Sequence, residues 1–181
     1  AITSEDVIPT YTRVAPQWDR PRSRALFEKR WLDRVLDYTS RHGKRRRILD
    51  LGSGSGQPIA SYLMERGAAV TGLNAAMPMV DLFAANLPRA TVHHDGMRGP
   101  SLGVPFDTIL AWDSVFHLSQ GDQRAMFATF SAHAAPRAAL MFTSGDTAGH
   151  VIRQVGGEPV YHASLAREDY QAFSQSTDST L

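Results

Sequence analysis

Apolar positions along the chain recur in two alternating patterns, which predict strands separated by helices. Short apolar runs bounded by glycine, proline or charged residues indicate buried strands, and apolar residues three or four positions apart indicate helices. The predicted strands cover residues 48–51, 69–73, 90–93, 106–111 and 138–143. The predicted helices cover residues 23–40, 58–66, 77–87 and 166–174, with one more between Ser119 and Pro136. Such alternation is typical of an α/β protein with a mainly parallel sheet.

The N-terminal segment, residues 1–22, combines aromatic residues with prolines and is expected to form a lid. Prolines at positions 9, 16 and 21 argue against a long helix, so a short helix carrying Tyr11 and Trp18 is predicted. These two side chains either pack on the core or form a wall of an active site. In the helix predicted at 23–40, the positions expected to face inward are Phe27, Trp31, Leu32, Val35, Leu36 and Tyr38.

A glycine-rich turn follows the first predicted strand and precedes a helix. Asp50 lies at the end of the strand, and Gly52, Gly54 and Gly56 follow at alternate positions. Glycine permits positive φ and lets a ligand approach the main chain, and ligands of open α/β sheets bind at the carboxyl ends of strands. The dinucleotide-binding spacing G-x-G-x-x-G requires a glycine where this chain has Gln57. The turn therefore fits a nucleoside better than a pyrophosphate.

A second informative stretch follows the fourth predicted strand, residues 106–111. It lies across the topological switch point from the glycine turn, so its side chains are expected to face the same crevice. His117 is the best candidate for a general base, because an unperturbed imidazole titrates near ~6.5, and Asp113 either orients it or takes the proton itself. The alternative for His117 is a structural hydrogen bond near the pocket. His150 and His162 are weaker candidates for the base.

These two stretches resemble a known enzyme family. Residues 48–56, ILDLGSGSG, resemble motif I of the class I S-adenosylmethionine (SAM)-dependent methyltransferases, and residues 106–118, FDTILAWDSVFHL, closely resemble a bacterial subfamily of them. The resemblance covers residues 40–173. It implies a Rossmann-like three-layer αβα sandwich with a mainly parallel sheet of strand order 3-2-1-4-5.

Family members usually continue with two strands that form an antiparallel hairpin at the edge of the sheet. Residues 144–150 read as a flexible loop, and nothing after residue 165 has strand character. The terminal hairpin is therefore expected to be missing or truncated. The edge of the fifth strand is then expected to be covered by the loop at 145–163, by a second copy of the chain or by strands absent from this sequence.

The resemblance also implies the cofactor, SAM, with S-adenosylhomocysteine as its product. Two positions depart from the family pattern. Asn74 stands where the family has an acidic residue that accepts from both ribose hydroxyls, and Asp95-Gly96 reverses the family's usual Gly-Asp order. The residues expected to bind the cofactor are Asp50, Gly52, Ser53, Gly54, Gly56, Asn74, Ala75, Asp95, Gly96, Met97, Ala111 and Trp112.

The resemblance implies transfer of a methyl group from SAM to a small-molecule acceptor, in a cavity shaped by Tyr11, Trp18, Trp112 and His117. The alternative is a degenerate methyltransferase fold with weak or no SAM binding, acting as a binding or assembly module. Methylation of RNA is a third hypothesis, suggested by the basic run at 41–47. Such a run is more often a solvated loop, and the chain lacks the Asn-Pro-Pro-Tyr and Asp-Pro-Pro-Tyr motifs of nucleic-acid amino methylation.

Length and charge fit this interpretation. A chain of 181 residues predicts one domain, with a lid at 1–22, a core at 23–173 and a polar tail at 174–181. The 19 basic and 18 acidic side chains set up no global field, cysteine is absent, and no apolar run approaches the ~20 residues of a membrane span. His93 and His94 point to opposite faces of a strand, so no metal site is expected. A soluble, cytoplasmic monomer or homodimer is expected.

Overall fold

The computed structural model describes residues 1–21, 23–39, 42–99 and 101–178. Five strands form the main sheet: β1 (Arg47–Leu51), β2 (Ala69–Asn74), β3 (Thr91–His94), β4 (Phe106–Ala111) and β5 (Ala134–Phe142). A separate two-stranded sheet consists of β6 (Gly149–Val155) and β7 (Glu158–Ser164). The α-helices are α1 (Val7–Asp19), α2 (Lys29–Tyr38), α3 (Ile59–Glu65), α4 (Met77–Asn86), α5 (Gln120–His133) and α6 (Arg167–Asp178).

The main sheet is parallel throughout and has the strand order β3-β2-β1-β4-β5, which confirms the predicted 3-2-1-4-5. Apolar residues pack on both of its faces, which is the usual setting of a parallel sheet. One cluster includes Phe127 of α5 and Tyr170 of α6, and the other includes Leu32 of α2, Leu63 of α3 and Phe83 of α4. This arrangement is the expected three-layer αβα sandwich.

Helix α1 is longer than its prolines suggested, because it runs for 13 residues with Pro16 inside it. Pro9 falls in the first turn, where a missing backbone N–H leaves no intrahelical bond unmade. Val14 and Ala15 are buried, so the helix is stabilised by packing at the cost of one proline in its interior. The prediction of only a short helix in this segment was wrong.

Helix α2 begins at Lys29, and its inward face is narrower than predicted. Leu32, Val35 and Leu36 are buried at helical spacing. The aromatic side chains are exposed instead: Trp31 and Tyr38 of α2 by 40% and 71%, and Phe27, which precedes the helix, by 79%. The prediction that these three face the core was wrong, because the aliphatic residues of α2 occupy the buried face. Ser40, predicted to end this helix, lies outside the described residues.

The segment expected to be a loop at 145–163 contains the hairpin formed by β6 and β7. Its strands pair with each other from Gly149↔Ser164 to Val155↔Glu158. Within the described residues no antiparallel strand joins the main sheet beyond β5. Strand β6 gave little signal because its residues are almost all exposed, so they lack the one-sided apolar alternation of a half-buried strand.

Helix α6 extends to Asp178, four residues beyond the predicted end at 174, and residues 179–181 lie outside the described part of the chain. Arg41, the first residue of the predicted basic run, also lies outside it. Among the residues that the structure describes, no helix is both long and apolar enough to cross a membrane.

Candidate active site

A cavity of about 350 Å³ opens at the carboxyl ends of β1, β2 and β4. This volume lies in the range of ~300–1,000 Å³ that small-molecule sites occupy. The turns after the three strands form its floor, and α1 and the hairpin form the opposite wall. We call it the inner cavity. The predicted site residues that line it are Tyr11, Trp18, Asp50, Gly52, Ser53, Gly54, Gly56, Asn74, Ala75, Met97, Trp112, Asp113 and His117.

The glycine turn exposes main chain to the inner cavity because it has no room for side chains. Gly52 has φ +71°, and a Cβ there would lie 2.4 Å from the Cβ of Ser114. Gly54 has φ +55°, and a Cβ there would lie 3.2 Å from the Trp18 ring. The Oγ of Ser53 is buried and has no hydrogen-bond partner within the part of the chain that the structure describes. The turn thus offers a ligand bare backbone and one unused hydroxyl.

At the end of β2, the Oδ1 of Asn74 accepts a hydrogen bond of 2.9 Å from the Ala76 N–H. This bond fixes the amide so that its oxygen serves the backbone and its NH2 remains the group to offer a ligand. Ala75 and Met97 line the same part of the inner cavity. Asn74 therefore offers a ligand fewer hydrogen-bond acceptors than an acidic residue at this position would.

Three residues predicted to bind the cofactor do not line the inner cavity: Asp95, Gly96 and Ala111. The carboxylate of Asp95 accepts from the Gly96 N–H at 2.7 Å, and it lies so close to Gly99 that a Cβ on that glycine would be 2.6 Å away. Asp95 therefore stabilises its own turn. Ala111 is fully buried in β4. That these three residues bind the cofactor stays a prediction, which the lining of the inner cavity does not support.

His117 is buried and hydrogen-bonded at both ring nitrogens. Its Nδ1 lies 3.0 Å from the backbone oxygen of Tyr161, and its Nε2 lies 3.0 Å from the Tyr11 hydroxyl. A carbonyl oxygen only accepts, so Nδ1 carries the proton; in the neutral ring Nε2 must then accept, and Tyr11 donates. The Tyr161 carbonyl thus orients the ring in the way that Asp113 was expected to do.

Burial lowers the pKa of His117 to about 4, and a smaller effect of the neighbouring His162 acts in the same direction. The hydrogen bond to the Tyr161 carbonyl favours the protonated ring but does not outweigh burial. At neutral pH the imidazole is therefore uncharged, which agrees with the tautomer deduced from its partners. A group of such low basicity accepts a hydrogen bond readily but removes a proton poorly.

Asp113 lies on the rim of the inner cavity in a left-handed conformation with φ +50°. Its backbone N–H donates to the Thr143 Oγ1 at 2.6 Å. The hydroxyl of the following residue, Ser114, donates to the Leu51 carbonyl at 2.9 Å. These bonds join the turn after β4 to β1 and to the end of β5. Positive φ is uncommon outside glycine and often marks functional turns.

Aromatic rings surround the corner of the inner cavity where Tyr11 meets His117. Ring centroids lie 6.2 Å apart for Tyr11 and Trp18, 4.8 Å for His117 and His162, and 4.3 Å for the stacked pair Phe116 and His162. Sequence reasoning missed Phe116 and most of the hairpin wall, because the hairpin itself was not predicted. The hairpin residues lining the inner cavity are Gln154, Val155, Val160 and His162.

Helix α1 and the hairpin contact each other over the inner cavity. The guanidinium of Arg13 donates to the Glu158 carboxylate at 2.5 Å, and a Cβ on Gly156 would lie 3.1 Å from Val14. The ion pair is solvent-exposed, so water and salt screen it and its contribution to stability is small. Close packing and the hydrogen bond from Tyr11 to His117 therefore hold α1 and the hairpin together more than the Arg13–Glu158 ion pair does.

Solved structures with the same fold include several methyltransferases. An amino pentose methyltransferase from Micromonospora echinaspora, involved in calicheamicin biosynthesis and solved with SAM bound, is 21% identical with a TM-score of 0.67, covering 87% of this chain and 84% of its own. The CcbJ methyltransferase from Streptomyces caelestis is 15% identical with a TM-score of 0.72, covering 97% and 86%. At this identity the likeness shows the fold.

A curated relative is the dTDP-3-amino-3,6-dideoxy-alpha-D-glucopyranose N,N-dimethyltransferase of Streptomyces fradiae, which is 28% identical over 136 residues. The match covers 69% of this chain and 52% of the relative, so the chain spans about half the length of that protein. A family described as a methyltransferase domain matches residues 19–174, from the end of α1 to α6. On that match, together with the sheet order and the glycine turn, the chain belongs to the methyltransferase domain family.

Proposed function

We propose that this chain transfers a methyl group from SAM to an amino group of a small polar acceptor. The observation that carries this proposal is the bond from the Tyr11 hydroxyl to the Nε2 of His117. Because Tyr11 donates its only proton to His117, its hydroxyl can act toward a ligand in the inner cavity only as a hydrogen-bond acceptor. A group that bears N–H or O–H hydrogens is the complementary ligand.

The residues of the cavity fit the cofactor. The glycine turn leaves main chain bare for a nucleoside, and the Ser53 Oγ, which has no hydrogen-bond partner among the described residues, supplies a hydroxyl within the same turn. The amide NH2 of Asn74 supplies a hydrogen-bond donor for a ribose oxygen. When bound, SAM supplies a methyl group already activated by its sulfonium.

An amine suits the site better than a hydroxyl. A neutral amine attacks an activated methyl group with its own lone pair, whereas an alcohol needs a base to remove its proton. His117, with its pKa lowered by burial to about 4, is a poor base for an alcohol. The Tyr11 oxygen accepts from an amine N–H and thereby points the nitrogen lone pair away from itself. Positioning of this kind supplies up to ~7–11 kcal/mol of a reaction barrier.

The comparisons support the same class of acceptor. The Streptomyces fradiae relative is named for dimethylation of an amino sugar carried on dTDP. A sugar N-methyltransferase from Streptoalloteichus shares the fold, with 15% identity and a TM-score of 0.68 over 94% of this chain and 83% of its own. An amino sugar is therefore the acceptor to test first on this chain.

The test pairs an amino sugar with the sugar that carries a hydroxyl at the same carbon. Calorimetry first measures SAM binding, and mass spectrometry then measures methylated product and S-adenosylhomocysteine. We expect product from the amine alone. Tyr11→Phe keeps the ring and removes the accepting oxygen, so kcat/KM should fall by roughly 10- to 100-fold while the Kd of SAM stays unchanged.

Tyr38→Phe is the matched control, because Tyr38 is 71% exposed on α2 and lies outside the inner cavity. Equal methylation of amine and hydroxyl substrates, or no loss in Tyr11→Phe, would contradict the assignment of the acceptor. Absence of SAM binding at millimolar concentration would contradict the proposed activity as a whole.

A further inference from the structure

Aromatic side chains lie exposed on the outer face of α2. Trp31 is 40% exposed and Tyr38 71%, while Leu32 and Leu36 of the same helix are buried against the sheet. Trp31 and Tyr38 are seven residues apart, so they lie on one face of the helix two turns from each other. Phe27, which precedes the helix, is 79% exposed. Such a group of aromatic side chains at a protein surface is typical of a docking site.

Exposed arginines lie among these rings. The guanidinium carbon of Arg30 is 4.6 Å from the centre of the Trp31 ring, and that of Arg34 is 5.8 Å from the centre of the Tyr38 ring. Both distances are within the range of a cation–π attraction. Among the residues that the structure describes, neither arginine forms an ion pair. Their charges are therefore available to an anionic partner.

The basic loop that follows α2 extends this surface. Its side chains Lys44, Arg45 and Arg47 are exposed. The loop is fixed to the sheet, because the Nδ1 of His42 lies 2.6 Å from a carboxylate oxygen of Asp107, the second residue of β4. The loop therefore lies at the amino ends of the strands, whereas the inner cavity opens at their carboxyl ends.

Charge is distributed unevenly along the chain, although the net charge is only +1. Residues 29–47 hold 8 of the 19 basic side chains and 2 of the 18 acidic ones, Asp33 and Asp37. Asp33 is paired with Lys29, which leaves Asp37 as the exposed carboxylate of this segment. The rest of the chain holds 11 basic and 16 acidic side chains. A negatively charged partner is therefore attracted to residues 29–47 and repelled by the remainder of the molecule.

The shape and composition of this surface favour a lipid bilayer over a strand of nucleic acid. Proteins that bind single strands hold them in a groove, whereas α2 presents the convex outer side of a helix that packs on the sheet. Tryptophan and tyrosine lie preferentially at the level of lipid headgroups, where the ring is apolar and its polar edge stays hydrated. Arginine and lysine pair with anionic headgroups while their stems cover apolar surface.

We propose that the outer face of α2 and the basic loop form a docking surface for an anionic lipid bilayer. We call it the basic aromatic surface, and it comprises Phe27, Arg30, Trp31, Arg34, Tyr38, Lys44, Arg45 and Arg47. None of these residues lines the inner cavity, so docking leaves the proposed methyl transfer to a small acceptor unaffected. The inference goes beyond that function and does not depend on it.

Co-sedimentation of the full chain with vesicles tests this inference. The vesicles consist of phosphatidylcholine alone or with one-third phosphatidylglycerol, at low and at high salt. We expect binding to the anionic vesicles alone, and weaker binding at high salt because exposed charges are screened. Replacing both Arg30 and Arg34 by glutamine should weaken binding about 25-fold, at roughly fivefold for each arginine. Trp31→Ser should weaken it at least about threefold at unchanged charge, because the ring is lost.

The matched control replaces both Arg89 and Arg153 by glutamine. These arginines are exposed and lie outside residues 29–47, and their loss changes the net charge by the same amount. The control should bind anionic vesicles within about twofold of the wild type. Equal losses in the two double variants, equal binding to neutral vesicles or no binding to anionic vesicles would overturn the inference. Binding of single-stranded RNA without binding of vesicles would also overturn it and would assign the surface to nucleic acid.

Discussion

Asp107 is a buried carboxylate near the start of β4, and its hydrogen bonds determine whether it can stay charged there. The side chain is buried, with one oxygen 2.6 Å from the His42 Nδ1 and the other accepting from the Arg47 N–H at 2.9 Å. Burial raises the pKa of Asp107, but the hydrogen bonds from the Arg47 N–H and from His42 outweigh it and leave the pKa below its usual value. The carboxylate therefore anchors the basic loop to the sheet.

Replacing Asp107 should remove a pH-dependent part of the stability. Because the folded pKa lies below the unfolded value of about 3.9, the stabilisation is present above that pH and is lost as pH falls through the folded pKa. Asp107→Asn should lower the free energy of unfolding at pH 7 by ~1–3 kcal/mol and flatten its decline below about pH 4. Urea unfolding between pH 3 and pH 7 measures both. Asp37→Asn, on the exposed side of α2, should change neither.

Individual site residues were predictable where strand topology alone places them. The glycines after β1 and the Trp112–His117 stretch after β4 reach the inner cavity because carboxyl ends of neighbouring parallel strands share one edge. Asp95 does not line the inner cavity, because its direction depends on a local turn with Gly96, which topology does not fix. The partners of His117 were unpredictable for a similar reason, since they come from α1 and the hairpin.

Among elements, the strands that consist of a continuous buried apolar run were predicted well. β1 and β4 are buried apolar runs, and both were found within a residue or two of their true bounds. The hairpin was missed because β6 is exposed along almost its whole length, so packing against α1 and pairing with β7 stabilise it rather than its own pattern. The opposite error concerns Phe27, Trp31 and Tyr38, which were predicted to face the core but are exposed.

A buried glutamine joins the hairpin to the rest of the fold. The Nε2 of Gln123, fully buried in α5, donates to the carbonyls of Leu118 and Ala163 at 3.0 and 2.9 Å, and its Oε1 accepts from the Tyr170 hydroxyl at 2.5 Å. The Leu165 N–H donates to that hydroxyl. One side chain thus connects α5, β7 and α6, which fixes the base of the wall that carries His162.

Gln123→Ala should loosen the hairpin and lower the stability of the whole domain. Two buried carbonyls and one hydroxyl lose their partner, so we expect a loss of ~2–4 kcal/mol in urea unfolding and faster hydrogen exchange of the β7 amides. Gln120→Ala, which removes one bond of 2.7 Å to the Ser164 carbonyl from a half-buried position, should cost less than half as much. Equal effects of the two substitutions would show that the three-way connection contributes nothing of its own.

For the molecule as a whole, substitutions at Asn74 distinguish the proposed methyl transfer from a degenerate fold that does not bind SAM. Its amide oxygen is bonded to the Ala76 N–H, so one NH2 remains for the ribose where a carboxylate would accept from a hydroxyl as well. Asn74→Asp keeps the bond to Ala76 and adds a charged acceptor. A charge-assisted hydrogen bond gained in this way should tighten SAM binding by about tenfold or more.

Because SAM binds the folded state only, tighter SAM binding should appear as a higher thermal stability of the protein. Cofactor at 100 times its Kd raises the free energy of unfolding by ~2.7 kcal/mol, which for 181 residues is a rise in Tm of roughly 5–10 °C. At one fixed SAM concentration the Tm shift should increase from Asn74→Ala through wild type to Asn74→Asp, each measured against its own unliganded Tm. A shift in Asn74→Asp alone would favour the degenerate fold, since the wild type would then lack the cofactor. No Tm shift in any of the three proteins would mean that the inner cavity does not bind SAM.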